Sequence, residues 1–308
     1  MRRTVTFAYI ASTSYCGSTL LSFLLNAQPG VVSVGEVAWS IPLNPGEYRC
    51  SCGMTMSACP FWRRIEVEMR NRGHVFSPDN WGMAFQGSPN VYVNNLITRS
   101  LRSDFMDKTR DALVRAIPQL RKRLRTIGER NAALVCSIAS VSNASVFVDA
   151  SKDPARVWLL ETYSNLRPRV IHLVRDSPAV VNSYVKKNQD PDAFWKAIRW
   201  WNSTARHLEQ IRRRLPSSDW LLVRYEDLAE NPRAVIRRIV RFLDAEARDQ
   251  VLEFRHTDHH IIGNTMRLSN TTDIRFDRSW QHELSPGQIS MIINATQAYR
   301  KRFGYDSR

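Results

Sequence analysis

The sequence predicts an α/β fold: a parallel sheet flanked by helices on both faces, with a helical insertion and a C-terminal lid. Three observations carry this. Short β-type runs alternate with helical ones along most of the chain. Two of those runs end in a polar turn that opens directly onto a helix. A mostly helical, charged stretch over about residues 60–130 breaks the rhythm, with turn signals at Ser77-Pro78-Asp79 and Gly87-Ser88-Pro89.

The first strand is Thr6-Phe7-Ala8-Tyr9-Ile10-Ala11. It enters the hydroxyl-rich turn Ser12-Thr13-Ser14-Tyr15-Cys16-Gly17-Ser18-Thr19, and the apolar helix Leu20-Leu21-Ser22-Phe23-Leu24-Leu25 follows at once. Such a turn aims backbone N–H groups and the positive end of a helix dipole at one point, which is an anion site. Ser14, Ser18 and Thr19 add hydroxyl donors there. The turn is P-loop-like, but it lacks the Gly-Lys-Ser/Thr ending that grips a nucleotide triphosphate and its magnesium.

A second strand, Val170-Ile171-His172-Leu173-Val174, ends in Arg175-Asp176-Ser177-Pro178, with Pro178 placed for the first turn of the next helix. Arg175 stands at the carboxyl end of that strand, where open α/β sheets place ligand contacts. Ser183 and Lys187 are four residues apart and share one helix face. Two anion sites on one sheet point to a nucleotide with phosphates at both ends.

Further segments follow in order. Gly35-Glu36 comes after the first helix and Val31-Val32-Ser33-Val34. Asp149-Ala150-Ser151-Lys152-Asp153-Pro154 follows the strand Ser145-Val146-Phe147-Val148. Arg224-Tyr225-Glu226-Asp227-Leu228 follows Trp220-Leu221-Leu222-Val223. Late in the chain comes His260-Ile261-Ile262-Gly263-Asn264-Thr265-Met266-Arg267. In this order the segments resemble the motifs of sulfotransferases that use 3′-phosphoadenosine 5′-phosphosulfate (PAPS), with traits of the Golgi and protein-tyrosine-sulfating members. The resemblance runs from about residue 5 to about residue 300 and is thin between Cys50 and Asn143.

The resemblance implies one sulfotransferase domain over 1–308 that moves a sulfuryl group from PAPS to an acceptor hydroxyl by direct in-line transfer. The 5′-phosphosulfate falls to Ser14, Tyr15, Cys16, Gly17, Ser18 and Thr19. The 3′-phosphate falls to Arg175 and Ser183, with Lys187 and Arg267, and the late Gly263-Asn264 segment joins the cofactor contacts. Tyr225 is implied beside the adenine. Glu36 matches a catalytic glutamate and Lys152 a lysine at the bridging oxygen in the tyrosine-sulfating relatives. Tyr15 stands where the family usually has arginine or lysine. No metal is implied. His172 lies inside a strand, which leaves His259 and His260 as secondary base candidates. Residues 256–280, poor in periodicity, are read as the lid.

Composition fits this reading. The chain has 308 residues, 43% of them hydrophobic, enough for one α/β domain with an insertion. Its net charge of +15 suits an anionic ligand, although runs such as Arg121-Lys122-Arg123 are the usual solvated helix faces. No aromatic-interleaved basic motif of an RNA-binding module and no helix-turn-helix pattern is evident, so no nucleic-acid partner is expected. No apolar run approaches the roughly 20 residues of a membrane span, and Met1-Arg2-Arg3-Thr4 leads straight into the first strand. The expectation is therefore a cytoplasmic protein similar to soluble bacterial members. Five cysteines, an odd number, do not suggest a disulfide framework. Cys50, Cys52 and Cys59 fall one short of a four-ligand metal site, with His74 a distant fourth, and are read as buried or idle. Two other readings stay open: a P-loop kinase, which needs a loop lysine and magnesium carboxylates, and a non-catalytic 3′,5′-adenosine bisphosphate-binding protein.

Overall fold

The computed structural model describes residues 5–38, 47–78, 81–98, 101, 103–188, 190–247, 254, 259–269 and 274–305. Its centre is a parallel five-stranded sheet, β1 (Thr6–Ala11), β2 (Val31–Gly35), β3 (Val146–Lys152), β4 (Pro168–Val174) and β5 (Trp220–Arg224), in the order β2-β3-β1-β4-β5. Parallel strands are covered on both faces, so they read as apolar runs. Side chains of β1 alternate accordingly. Phe7, Tyr9 and Ala11 join one core cluster, and Ala8 and Ile10 join another.

Helices α1 (Ser18–Asn26), α2 (Pro60–Asn71), α3 (Val91–Thr98), α4 (Asp104–Ala116) and α5 (Pro118–Val141) precede β3. The apolar stripe of α2 (Phe61, Trp62, Ile65, Met69) and Leu134, Val135 and Ile138 of α5 share one core with Phe7, Tyr9 and Phe147 of the sheet. The helical stretch extends beyond the expected residue 130, because α5 continues unbroken to Val141. Helices α6 (Pro154–Tyr163), α7 (Ser177–Lys187), α8 (Ala193–Arg212), α9 (Tyr225–Glu230), α10 (Pro232–Phe242), α11 (Trp280–Glu283) and α12 (Pro286–Arg302) follow β3. Ser285 and Gln288 close a capping box on α12, a local signal already present in the sequence. Among the described residues no helix is long and apolar enough to cross a membrane.

The register decides where the site lies. Ala11 pairs with Lys152, Gly35 with Asp149 and Val174 with Arg224. The polar turn after β1, Glu36, Lys152, Arg175 and Tyr225 therefore emerge from one edge of the sheet, the carboxyl ends of its strands. The Asp149–Lys152 segment, read as following a strand, is the end of β3 itself.

Part of the expected lid is built into the sheet. Ile262 bridges Gly35 in parallel, its N–H donating to Val34 O (2.8 Å) and its carbonyl accepting from Glu36 N (3.3 Å). Thr265–Leu268 then forms a short 3₁₀ turn. The lid positions 256–258 and 270–273 lie outside the described residues.

Two core histidines make stability depend on pH. His172 in β4 is packed edge-on against Trp220 and Phe303, and burial pushes it down to about 3. Burial does the same to His207 in α8. Both stay neutral in the folded chain, whereas unfolded imidazoles protonate near pH 6.5. Between pH 6.5 and about 3 the unfolded chain binds more protons, so stability falls as pH falls. Well inside that window each histidine costs about 1.4 kcal/mol per pH unit. The melting temperature should drop steadily below pH 6, and more shallowly for His172→Phe with His207→Leu. An unchanged slope in that double variant would contradict the assignment.

Candidate active site

The turn after β1 is fixed by backbone conformations that few residues adopt. Tyr15 has φ 66° and Gly17 has φ 86°, both in the left-handed region. Gly17 is required for a second reason: a Cβ there would meet the Tyr225 ring at 2.5 and 2.7 Å. Gly17 caps α1 with no side-chain hydrogen bond, and the first turn of α1 carries no acidic residue. The N–H groups at the start of α1 are thus left without a built-in side-chain acceptor at a positive dipole end, the local chemistry of an anion site.

Arg175 sits just past β4. Its Nη1 donates to Tyr15 O (2.9 Å) and its Nη2 to Asp277 Oδ2 (3.0 Å). The guanidinium lies 4.7 Å over the Tyr225 ring. Trp201 Nε1, from α8, holds the Arg175 carbonyl at 3.1 Å. Despite these partners, Arg175 Nε is buried with no hydrogen-bond partner. A buried donor without an acceptor is costly, and a phosphate oxygen would satisfy it. Tyr225 donates its hydroxyl to Arg275 O (2.9 Å), and burial raises its pKa, so it remains a neutral phenol.

On the other side of the turn, Lys152 Nζ and Glu36 Oε1 are in direct ion-paired contact. Lys152 has φ 68°, a strained conformation for a side chain of its size, held at the junction of β3 and α6. The next residue, Asp153, caps α6 through Ala155 N, and burial raises its carboxyl to about 6. Behind β3, Asp149 accepts from Arg156 Nε (2.9 Å) and from Ser151, whose hydroxyl also accepts from Ala38 N (2.8 Å). This network braces the strand end that carries Lys152. Gly263, φ +111°, makes room for Glu36: a Cβ there would lie 2.7 Å from the Glu36 carboxylate.

These groups line one cavity of 630 Å³. Its walls include Ser14, Tyr15, Gly17, Ser18 and Thr19 from the turn, Glu36 and Lys152, Arg175, Ser183 and Lys187, Tyr225, and Asn264. Residues as far apart in sequence as Ser14 and Asn264 converge there because the strands share a register.

Three expected contacts are placed elsewhere. Cys16 is buried, its Sγ 2.8 Å from Thr13 Oγ1, and burial pushes its thiol up to about 11. Its side chain belongs to the core under the turn. Gly263 lies against Glu36 rather than in the cavity wall. Arg267 is also absent from that wall. Its guanidinium donates to Arg49 O (3.0 Å) and Gly263 O (2.5 Å) and stacks 4.4 Å over Tyr48, so it staples the 49–263 junction. Four groups were not singled out from sequence. Leu20, Thr265 and Met266 line the cavity, and Asp277 pairs with Arg175 from 102 positions away. The first three adjoin motif residues and were findable. Asp277 carried no local signal.

The model of a sulfotransferase family matches residues 9–249, well over half of the chain. The chain belongs to the sulfotransferase family. Over 154 residues, 46% of this chain, it is 29% identical to protein-tyrosine sulfotransferase A of Caenorhabditis elegans; that match spans only 37% of the relative's length. Its fold is similar to the sulfotransferase domain of the Synechococcus PCC 7002 olefin synthase, with a TM-score of 0.59, 18% identity, and 99% of this chain and 97% of that one covered. The sulfotransferase domain of the curacin biosynthetic pathway superposes with a TM-score of 0.57 at 15% identity, with 99% of each chain covered.

Proposed function

We propose that this sulfotransferase takes PAPS as its donor and transfers the sulfuryl group in line to an acceptor hydroxyl, with Glu36 as the base. One observation carries the reading. A single cavity joins an uncapped helix N-terminus, a strand-end arginine with an unsatisfied donor, and a carboxylate–lysine pair.

Bound there, the donor supplies a sulfuryl group on a phosphate leaving group, and negative charge grows on that phosphate as the S–O bond breaks. The N–H groups of the α1 N-terminus and the hydroxyls of Ser14, Ser18 and Thr19 face the 5′ end. Arg175, Ser183 and Lys187 take the 3′-phosphate, with the orphaned Arg175 Nε supplying a further donor. Tyr225 borders the adenine side. Asn264, at the mouth of the 3₁₀ turn, borders the donor as well. Because Tyr15 replaces the common basic residue of the turn, Lys152 is the cation at the bridging oxygen.

The Glu36–Lys152 contact couples the two halves of the chemistry. Glu36 accepts the acceptor's proton and loses its charge. Lys152, no longer held by an anion, turns its full charge to the leaving group. Proton uptake and leaving-group stabilisation are thereby made concurrent.

The kinase reading lacks a lysine in the turn. Thermal unfolding separates the two. 3′,5′-Adenosine bisphosphate at about 100 times its Kd should add about 2.7 kcal/mol of stability, seen as a raised Tm, and ATP with magnesium should add little. Equal or greater stabilisation by ATP with magnesium would overturn the PAPS reading.

A further inference from the structure

Away from the donor cavity, Cys50, Cys52, Cys59 and His260 converge, with one ligand atom from each lying within 4.8 Å of all the others. The sequence left three thiols without a close fourth partner; the fold supplies His260, from a segment more than 200 positions on, in place of His74. We propose that these four residues form a tetrahedral zinc site that fixes the wall behind Glu36.

Three of the separations within this cluster are those of a coordination shell. Cys52 and Cys59 Sγ are 3.6 Å apart, and His260 Nδ1 lies 3.4 Å from Cys59 Sγ and 3.7 Å from Cys50 Sγ. With Zn–S about 2.3 Å and Zn–N about 2.0–2.1 Å, tetrahedral edges come to about 3.8 Å for S···S and about 3.6 Å for S···N. A bonded disulfide would need about 2.05 Å, and all five cysteines are free thiols. Three sulfurs and one imidazole nitrogen match the Cys₃His set of structural zinc centres, and soft thiolates select zinc over magnesium or calcium.

The local backbone is arranged for this. Cys50 N donates to Met54 O and Gly53 N to Cys50 O, both at 2.9 Å, with Gly53 at φ +86°, so Cys50 and Cys52 flank a tight knuckle. Cys59 is the N-cap of α2, followed by Pro60, which places its sulfur at a positive helix end that favours thiolate. Ser51 locks the knuckle to the histidine segment. Its hydroxyl donates to His259 O (2.7 Å) and accepts from Ile261 N (2.8 Å), and its own N–H donates to Ile261 O (3.1 Å). Phe61 stacks on the His260 ring at 4.3 Å and 5°, fixing the ring plane. Cys50 and Cys59 are fully buried, Cys52 is exposed, and the site thus sits at the surface with one open edge.

The site joins three parts of the chain: the 50–55 knuckle, the start of α2, and the 259–263 segment. The last of these hydrogen-bonds β2 and Glu36 N, and Gly263 backs the Glu36 carboxylate. The metal is structural, with four protein ligands and no open position. Its effect on catalysis rests on the reading of Glu36 given above, whereas its existence does not.

The test is metal content of the full chain purified without chelator, by elemental analysis, together with the visible spectrum after cobalt exchange. We expect one zinc per chain, and a cobalt form with tetrahedral thiolate bands. Cys52→Ser, chosen because Cys52 is exposed and the fold should survive, should weaken zinc affinity by more than the roughly 10–100-fold lost with outer-shell partners. His74→Ala should leave affinity unchanged. Chelation should lower Tm in the wild type but not in Cys52→Ser. A folded wild type that takes up neither zinc nor cobalt would overturn the site. So would a Cys52–Cys59 disulfide in the mass spectrum, or a Cys52→Ser chain that holds zinc as tightly as the wild type. These readouts do not involve PAPS, so their failure leaves the donor assignment standing.

Discussion

Replacing Glu36 with glutamine should lower sulfuryl-transfer turnover by about 10²–10⁴ while leaving the affinity for 3′,5′-adenosine bisphosphate unchanged. The separation follows from the geometry. Glu36 meets Lys152 on the β2–β3 side of the cavity, whereas the Arg175, Ser183 and Lys187 cluster follows β4. Glutamine keeps the shape and an oxygen that can accept from Lys152, so the change removes the proton acceptor without opening a hole. Lys152→Ala should also lower turnover, and by less when the donor carries a better leaving group. Full turnover in Glu36→Gln, measured by bisphosphate release, would remove Glu36 as base. Parallel loss of turnover and binding would make it a structural residue.

Arg175→Ala should weaken binding of 3′,5′-adenosine bisphosphate at least tenfold, in line with the roughly 1.5–3 kcal/mol of a charge-assisted contact. Adenosine 5′-phosphate should bind nearly as before. Arg175 has a second duty, because it also holds Tyr15 O and pairs with Asp277. Arg175→Lys tests this. It keeps a positive charge but not the fork, and should recover only part of the loss. Calorimetric titration of both ligands decides the matter: equal loss for the two would mean that the turn has collapsed and the 3′-phosphate assignment is wrong.

How much of this was legible in the sequence depends on whether a signal was local. The β1 turn, the Arg175 strand end and the Pro178 helix start are read from a few adjacent residues, and the structure builds each as a strand end or helix start. Their convergence follows from the parallel register, which the alternation of strands and helices implied. What escaped depended on long-range contacts. Arg267 follows a Gly-Asn-x-x-Arg pattern that looks like a ligand contact, yet nearby carbonyls of Arg49 and Gly263 engage its guanidinium. Gly263 looked like cofactor contact and instead yields space to Glu36. Cys16 sits in the turn but turns its thiol inward, as a small apolar side chain between strand and helix does. His260 could not be matched to the cysteines, because the long-range Ile262–Gly35 pairing and the Ser51 hydrogen bonds bring it there.

The contact between Glu36 and Lys152 was equally invisible as a contact, although each residue was singled out separately. Their sequence separation of 116 is closed by the β2–β3 pairing, which aligns Gly35 with Asp149. The strained Lys152 backbone then turns its ammonium toward the carboxylate.

A crystal structure with 3′,5′-adenosine bisphosphate bound decides how the nucleotide lies against Glu36 and Lys152. The 5′-phosphate should lie at the N-terminus of α1 beside Lys152, with Glu36 facing the space beyond it, and the 3′-phosphate on Arg175 and Ser183. A nucleotide bound in the reverse sense, or a Glu36 carboxylate turned away from the 5′ end into bulk solvent, would contradict this placement.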